Sequence, residues 1–317
     1  MIGFKKILVT GGAGFVGRHM TGALLRRGFK VRVIDNFSCS SPRALDGFRG
    51  KIELIKGDVR HGKDVAKAVK GVDAVYHFAA IRSVARSVED PMLSHEVNAS
   101  GALNLLYYSH EYNVKHFIFT STSAVYGDAI TRYQREDGKL SPISPYGAAK
   151  LAAEFYARHY TRDKGLPTTS FRIFNVYGPQ QNPESRYSLA VPGLLSNILK
   201  GRRPVIDGSG EQSRDFIYID DILNALFKCL GNKTAYGQVY NLGSGRADSI
   251  HTLAGKLLKL TGSKLKPTHG PRRPGDPERT CADTAKVYKD LKWEAKISLE
   301  EGLRRTVEWA KRSNNVF

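Results

Sequence analysis

Three cysteines in 317 residues, Cys39, Cys229 and Cys281, are too few and too unevenly spaced for a disulfide framework or a zinc site. No apolar run approaches the ~20 residues that a membrane-spanning helix needs. The opening "MIGFKKILVTGG" meets glycine too soon to be a secretory signal. A soluble chain in a reducing, cytoplasmic setting is expected, with no membrane partner and no metal. Acidic residues are also short: 30 Asp and Glu against 49 Lys and Arg leave a formal charge of +19. A field of that sign attracts polyanions. The cations, however, are scattered in pairs at 5–6, 26–27, 202–203, 272–273 and 304–305, without the interleaved aromatics of a nucleic-acid surface. A solvated basic surface is expected, and no nucleic-acid partner.

What the first half does contain is alternation. Apolar stretches at 6–10, 30–35, 52–58, 74–80, 116–121 and 168–175 read as strands. Helical spacing occupies 17–28, 62–71, a run around 91–113, and 145–165, the last stopped by Gly165 and Pro167. Continuous apolar strands between helices predict an α/β fold with a doubly wound parallel sheet of the Rossmann type. After Asn175 the texture turns to Pro- and Gly-rich loops. Residues 1–174, with a returning segment near 213–243, are therefore expected to form a dinucleotide-binding domain, and 175–317 a smaller C-terminal α/β substrate domain.

"ILVTGGAGFVGRHM" follows the first strand and opens the first helix. Without side chains at Gly11, Gly14 and Gly17, the backbone can turn tightly and approach a pyrophosphate seated on the helix N-terminus, at Phe15 and Val16. The second strand ends in Asp35, placed to accept hydrogen bonds from an adenosine ribose. That carboxylate would repel a 2′-phosphate, and Asn36 and Phe37 supply no cation to hold one. NAD is expected over NADP, with Arg32 and Arg43 as the cations that stand against it.

"FIFTSTSAVYGD" ends a strand in hydroxyls at Thr120, Ser121, Thr122 and Ser123, and "SPYGAAK" follows about twenty residues later. Tyr146 and Lys150, four apart on a helix, share a face. A tyrosine titrates near pH ~10. A cation beside it favours the phenolate, the form needed for a base.

These motifs resemble the extended short-chain dehydrogenase/reductases, within them the sugar-nucleotide epimerases and dehydratases. The resemblance runs through "TGGAGFVG", "IDNFS", "GDVR", "YHFAA", "SVEDP", "VNASGALNLL", "STSAVYGD", "SPYGAAK", "FRIFNVYGP", "SRDFIYIDDI", "YNLGSG" and "RRPGD". It implies that Thr122 hydrogen-bonds the reacting sugar hydroxyl, Tyr146 is the base, and Lys150 holds the nicotinamide ribose and tunes Tyr146. It places Asn36, Asp58 and Val59 at the adenosine end, Ala79 and Ala80 along the cofactor, and Asn98 behind the nicotinamide. It assigns Asn175, Arg214 and Arg273 to a nucleotide diphosphate, Asp276 to its ribose, and Ser83 and Tyr187 to the sugar or nucleotide path. It also implies a homodimer through helices around 91–113 and 146–164. Asp215, Asp220 and Asp221 are expected to be structural, flanking a strand and capping the next helix.

Relatives that eliminate water or carbon dioxide carry an acid near position 124, where this chain has Ala124. The alanine points to the reaction that needs the fewest proton-transfer groups, 4-epimerisation of a UDP-hexose. A dehydratase, decarboxylase or reductase on the same scaffold is the first alternative, and a non-catalytic NAD- or RNA-binding relative the second. The resemblance further sets Thr280, four residues after Asp276, at the wall facing the sugar's C2 substituent. A residue that small leaves room for an N-acetyl group.

Overall fold

The computed structural model describes residues 3–128, 131–182, 189–272 and 277–313. Strands β1 (Lys6–Thr10), β2 (Lys30–Asp35), β3 (Ile52–Lys56), β4 (Ala74–His77), β5 (His116–Thr122) and β6 (Thr168–Ile173) are connected through helices α1 (Phe15–Arg26), α2 (Gly62–Val69), α3 (Val84–Glu89), α4 (Pro91–His95), α5 (Gly101–Glu111) and α6 (Pro145–Lys164). Beyond them lie β7 (Asn175–Tyr177), α7 (Ala190–Leu199), β8 (Val205–Asp207), β9 (Ser213–Arg214), β10 (Phe216–Tyr218), α8 (Ile219–Cys229), β11 (Val239–Leu242), β12 (Asp248–Ser249), α9 (Ile250–Thr261), β13 (Thr268–Gly270), β14 (Arg279–Thr280), α10 (Ala285–Leu291) and α11 (Leu299–Arg312).

Seven strands form one parallel sheet in the order β11-β6-β5-β4-β1-β2-β3. The pleat sends alternate residues to opposite faces. Ile7, Val9, Tyr76 and Ile118 therefore pack with Met20 and Leu24 of α1 and Ile222 and Leu226 of α8. Leu8, Val75, Phe117 and Phe119 pack with Val65 of α2, Leu105 of α5 and Ala153 of α6. Burial on both faces is why these strands read as continuous apolar runs. Chain direction across the sheet reverses at β1, which lies between β2 and β4. A crevice opens beyond the carboxyl ends of the strands at such a switch point.

The late strands build smaller sheets: β7 with β10, β8 with β13, and β9 between β12 and β14. Helix α6 has sharp ends. Ser144 caps it by accepting the Gly147 N–H at 3.1 Å, Pro145 occupies its first turn, and Gly165 ends it in the left-handed conformation at φ 71. The run expected as one helix around 91–113 is interrupted. A π-helical turn at Glu96–Ser100 separates α4 from α5, and within it the buried Asn98 side chain clasps Ile81, donating to its carbonyl and accepting its N–H. Asp220 and Asp221 do not cap α8, whose N-cap is Tyr218. Asp221 instead accepts the Ile297 N–H at 3.0 Å, and Asp220 lies 3.7 Å from Arg305. Asp215 binds together the N–H groups of Ser244, Gly245 and Ala282. Among the described residues no helix is long and apolar enough to cross a membrane.

Candidate active site

A cleft of about 1380 Å³ runs along the carboxyl ends of the sheet. A pocket for one small ligand is typically ~300–1,000 Å³, so this one has room for two ligands end to end. At its β1 end, Gly11, Gly14, Phe15, Val16 and Gly17 line the wall. A Cβ at Gly11 (φ +64) would lie 2.7 Å from the Ala79 nitrogen, and one at Gly17 would strike the Gly11 carbonyl oxygen. Gly14 begins α1 with no side-chain cap and no acidic residue in the first turn, which leaves the helix N-terminus open to an anion. The cradle fits a dinucleotide pyrophosphate.

Asp35 stands at the tip of β2. Its carboxylate accepts the Ala13 N–H at 2.9 Å and the Phe37 N–H at 2.8 Å, tying the glycine loop to the strand and keeping lone pairs for a ribose. Arg32 is removed as a phosphate cation. It is buried, donates to the carbonyls of Lys67, Ala68 and Lys70, and pairs with Glu53 at 2.9 Å. Arg43 does border the cleft. Asn36 donates to Asp58 at 2.8 Å. Burial works against ionisation of Asp58, but hydrogen bonds from Arg60 and Asn36 outweigh it and hold the carboxyl down at about 2. Val59, Ala79 and Ala80 continue the wall. Asn98, fully buried, lies behind that wall and acts on it through Ile81.

Thr122 ends β5, and its hydroxyl accepts the Ala124 N–H at 3.2 Å. Gly147 lets α6 approach this turn: a Cβ there would sit 2.7 Å from the Ala124 carbonyl oxygen. Tyr146, in the first turn of α6, is thereby brought to Thr122. Burial pushes the Tyr146 phenol up, while the hydrogen bond with Thr122 and the charge of Arg82 pull the other way without prevailing. The charge of Arg82, a residue the sequence analysis passed over, acts on this phenol. Lys150 is buried one turn further on, its ammonium 4.2 Å from the Phe119 ring centroid. Burial takes it down to about 7, against the opposing charge of Glu154. Glu154 is itself gripped by Arg172 through contacts of 3.1 and 2.6 Å. Of the neighbouring hydroxyls, Thr120 donates to the His77 carbonyl at 2.8 Å. The Ser121 Oγ, one of the hydroxyls at the strand end expected to make a local hydrogen bond there, is instead buried in the cleft wall with no protein partner.

Asn175, Arg214 and Thr280 meet at the opposite end of the cleft. Asn175 Nδ2 reaches the Thr280 hydroxyl at 3.4 Å, and Thr280 pairs with Arg214 across β14 and β9. Ser83 lines the cleft while capping α3 through the Arg86 N–H at 3.1 Å. Tyr187, Arg273 and Asp276 lie outside the described residues. Among the described residues no group of three His, Cys, Asp or Glu side chains could hold a metal ion.

A switch-point cleft with a glycine cradle at one end and a Thr–Tyr–Lys constellation at its centre defines a dinucleotide-binding α/β enzyme. The family model described as GDP-mannose 4,6 dehydratase matches residues 8–306. The chain belongs to that family, among the extended short-chain dehydrogenase/reductases. It is similar to the UDP-glucose 4-epimerase of Thermotoga maritima solved with UDP-glucose, at 35% identity and TM-score 0.93, covering 98% of this chain and 100% of that one. It is similar also to the UDP-N-acetylglucosamine 4-epimerase of Methanobrevibacter ruminantium in complex with UDP-N-acetylmuramic acid, at 34% identity and TM-score 0.92, covering 98% and 99%. The dTDP-glucose 4,6-dehydratase of Streptomyces venezuelae, solved with NAD, follows at 31% identity and TM-score 0.90, covering 98% of each chain.

Proposed function

We propose that the chain is an NAD-dependent 4-epimerase of UDP-hexoses, with UDP-glucose/UDP-galactose and their N-acetylated counterparts as substrates. The observation that carries this reading is the chemistry of the wall facing Tyr146: from Thr120 to Ala124 it offers hydroxyls and a methyl group but no carboxylate. Elimination of water needs a second acid or base at the sugar. The described carboxylates that line the cleft are Asp35 and Asp58, at the ends of β2 and β3, and Glu89 on α3. The similarity to two 4-epimerases supports the same choice.

In this reading residues 1–174, with the returning segment near 213–243, hold the dinucleotide and 175–317 the nucleotide sugar. Gly11, Gly14, Phe15, Val16 and Gly17 receive the pyrophosphate, and Asp35 the ribose. Bound there, NAD supplies the acceptor and donor of hydride. Once the positive charge of a bound oxidised nicotinamide favoured the phenolate, Tyr146 would take the proton of the sugar 4-hydroxyl and later return it to the same oxygen. Thr122 hydrogen-bonds the Tyr146 hydroxyl in the free site and then holds the sugar oxygen. Lys150 and Arg82 keep positive charge near the developing anion. Asn175 and Arg214, with Arg273 from outside the described residues, hold the diphosphate, about which the sugar turns over in the wide cleft. We also assign a homodimer, since α5 and α6 present exposed Tyr107, Phe155 and Tyr156, beside Val88 of α3 and Met92 of α4. Phe155→Glu should then yield monomers in light scattering, and a monomeric wild type would reject the dimer.

The test is incubation of the purified protein with UDP-glucose and no added reductant. The expected product has unchanged mass and is the 4-epimer. Loss of one water, or of carbon dioxide from a uronic acid substrate, would replace this function by the alternative chemistry.

A further inference from the structure

Basic residues that lie far apart along the chain are gathered by the fold. Helices α7 and α9 pack side by side and share a core through Leu194, Ile198, Leu253 and Leu257. Each ends on a glycine in the left-handed region, Gly201 at φ 69 and Gly262 at φ 73, which turns the chain out of the helix. Each then leads into one strand of a small parallel sheet, β8 beside β13. The Pro204 carbonyl accepts the Thr268 N–H at 2.9 Å, and Arg203 Nε donates to the Lys266 carbonyl at 3.0 Å. The two turns therefore lie against each other.

Those turns, with the helix ends that feed them, carry charge of one sign. Residues 197–206 and 256–271 contain Lys200, Arg202, Arg203, Lys256, Lys259, Lys264 and Lys266, and not one Asp or Glu. With 30 acids to 49 cations in the whole chain, seven cations would ordinarily bring about four acids with them. Lys256 lies 3.9 Å from Glu300. The other six are exposed, and none of them forms a salt bridge with a described residue. A cation or two at a helix C-terminus would serve the helix dipole, but Arg202, Arg203, Lys264 and Lys266 lie beyond both helices. The same segments hold no Phe, Tyr or Trp on which a nucleic-acid base could stack. What stands among the cations is aliphatic: Val205 of β8, 48% exposed.

We propose that this face, made by the ends of α7 and α9 and the starts of β8 and β13, docks on an anionic lipid bilayer. Lysine and arginine need no shaped partner there, because the surface potential of the bilayer acts on each of them within a Debye length, ~10 Å at 0.1 M salt. An exposed valine can enter the headgroup region beside them. Among the described residues no helix can cross a membrane, so the attachment is peripheral and reversed by salt. It is a contact that cations met in pairs along the sequence did not announce, and it lies apart from the reaction in the cleft.

Full-length protein is sedimented with vesicles of phosphatidylcholine alone and of phosphatidylcholine mixed with phosphatidylglycerol, at about 0.1 M salt and again at several times that. Binding is expected only to the mixed vesicles and only at the lower salt. In Arg202→Gln/Lys264→Gln/Lys266→Gln the partition coefficient should fall about a hundredfold, since each cation near such a surface is worth roughly a factor of five. A charge-matched control, Lys51→Gln/Lys63→Gln/Lys67→Gln, removes three exposed cations beside β3 and on α2 and should bind as the wild type does. All six side chains are exposed, so both variants should keep the wild-type circular dichroism. A wild type that ignores the mixed vesicles, or an equal loss in both variants, would overturn the docking face. A gel shift with double-stranded RNA that the first variant abolishes, in a protein that leaves the vesicles alone, would give the face to nucleic acid instead. Turnover of UDP-hexose in solution does not enter this readout, so failure here leaves the epimerase reading intact.

Discussion

Lys150 keeps its ammonium over the face of Phe119, 4.2 Å from the ring centroid, in a wall where lysine is otherwise an expensive choice. A cation over a ring recovers only ~0.5–2 kcal/mol, less than burial removes, which is why this lysine is pushed down to about 7 from an ordinary 10.5. Between those two values the unfolded chain holds a proton that the folded chain has released. Stability therefore rises with pH across that window, and the cost of the buried charge is full below it. Lys150→Met should raise the urea midpoint clearly at about pH 6 and hardly at about pH 10, a difference on the order of 4 kcal/mol. Equal effects at both pH values would show that the ammonium is not buried as described.

Tyr146→Phe keeps the ring and removes the hydroxyl that meets Thr122. Turnover of UDP-glucose should fall by about 10²–10⁴-fold, with the fold unchanged by circular dichroism. Retention of more than about a tenth of the activity would remove Tyr146 from the role of base.

Cofactor choice should follow Asp35. Its carboxylate is fixed by Ala13 and Phe37, so it cannot swing away from a 2′-phosphate, and Arg32 is occupied elsewhere. Calorimetry should find NAD bound at least about tenfold more tightly than NADP. Equal affinities would mean that Arg43 or another cation at the cleft edge overrides the carboxylate.

At the sugar end, Thr280 is buried beside Asn175. Thr280→Tyr should cost UDP-N-acetylglucosamine about 1–3 kcal/mol in apparent binding through overpacking and spare UDP-glucose. Equal loss of both sugars, or refusal of acetylated sugars by the wild type, would mean that this residue is not the gate.

Much of this site was legible because its parts are local. The glycine cradle, Asp35, and the Tyr146–Lys150 pair are each set by spacing along one turn or one helix, and the strands carrying them announce themselves through continuous burial. The strands expected at 52–58 and 74–80 end early, at Lys56 and His77, where the chain turns into the cleft and stops pairing. Strands of two or three residues such as β9 and β14 exist only by virtue of long-range partners and leave no periodic trace. The same holds for Arg82, the cation at Tyr146. An arginine in a loop has no pattern, and its approach to the phenol depends on where β4 ends and α6 begins.

The return of β11 to the edge of the sheet has a consequence for synthesis. Its ladder pairs Val239 through Leu242 with Ser170 through Ile173, so a growing chain finishes β6 long before the strand that covers it exists. Until Leu242 has left the ribosome, the β6 edge keeps unpaired backbone N–H and C=O groups, open to other chains. A chain truncated before Val239 should therefore leave that edge open for good.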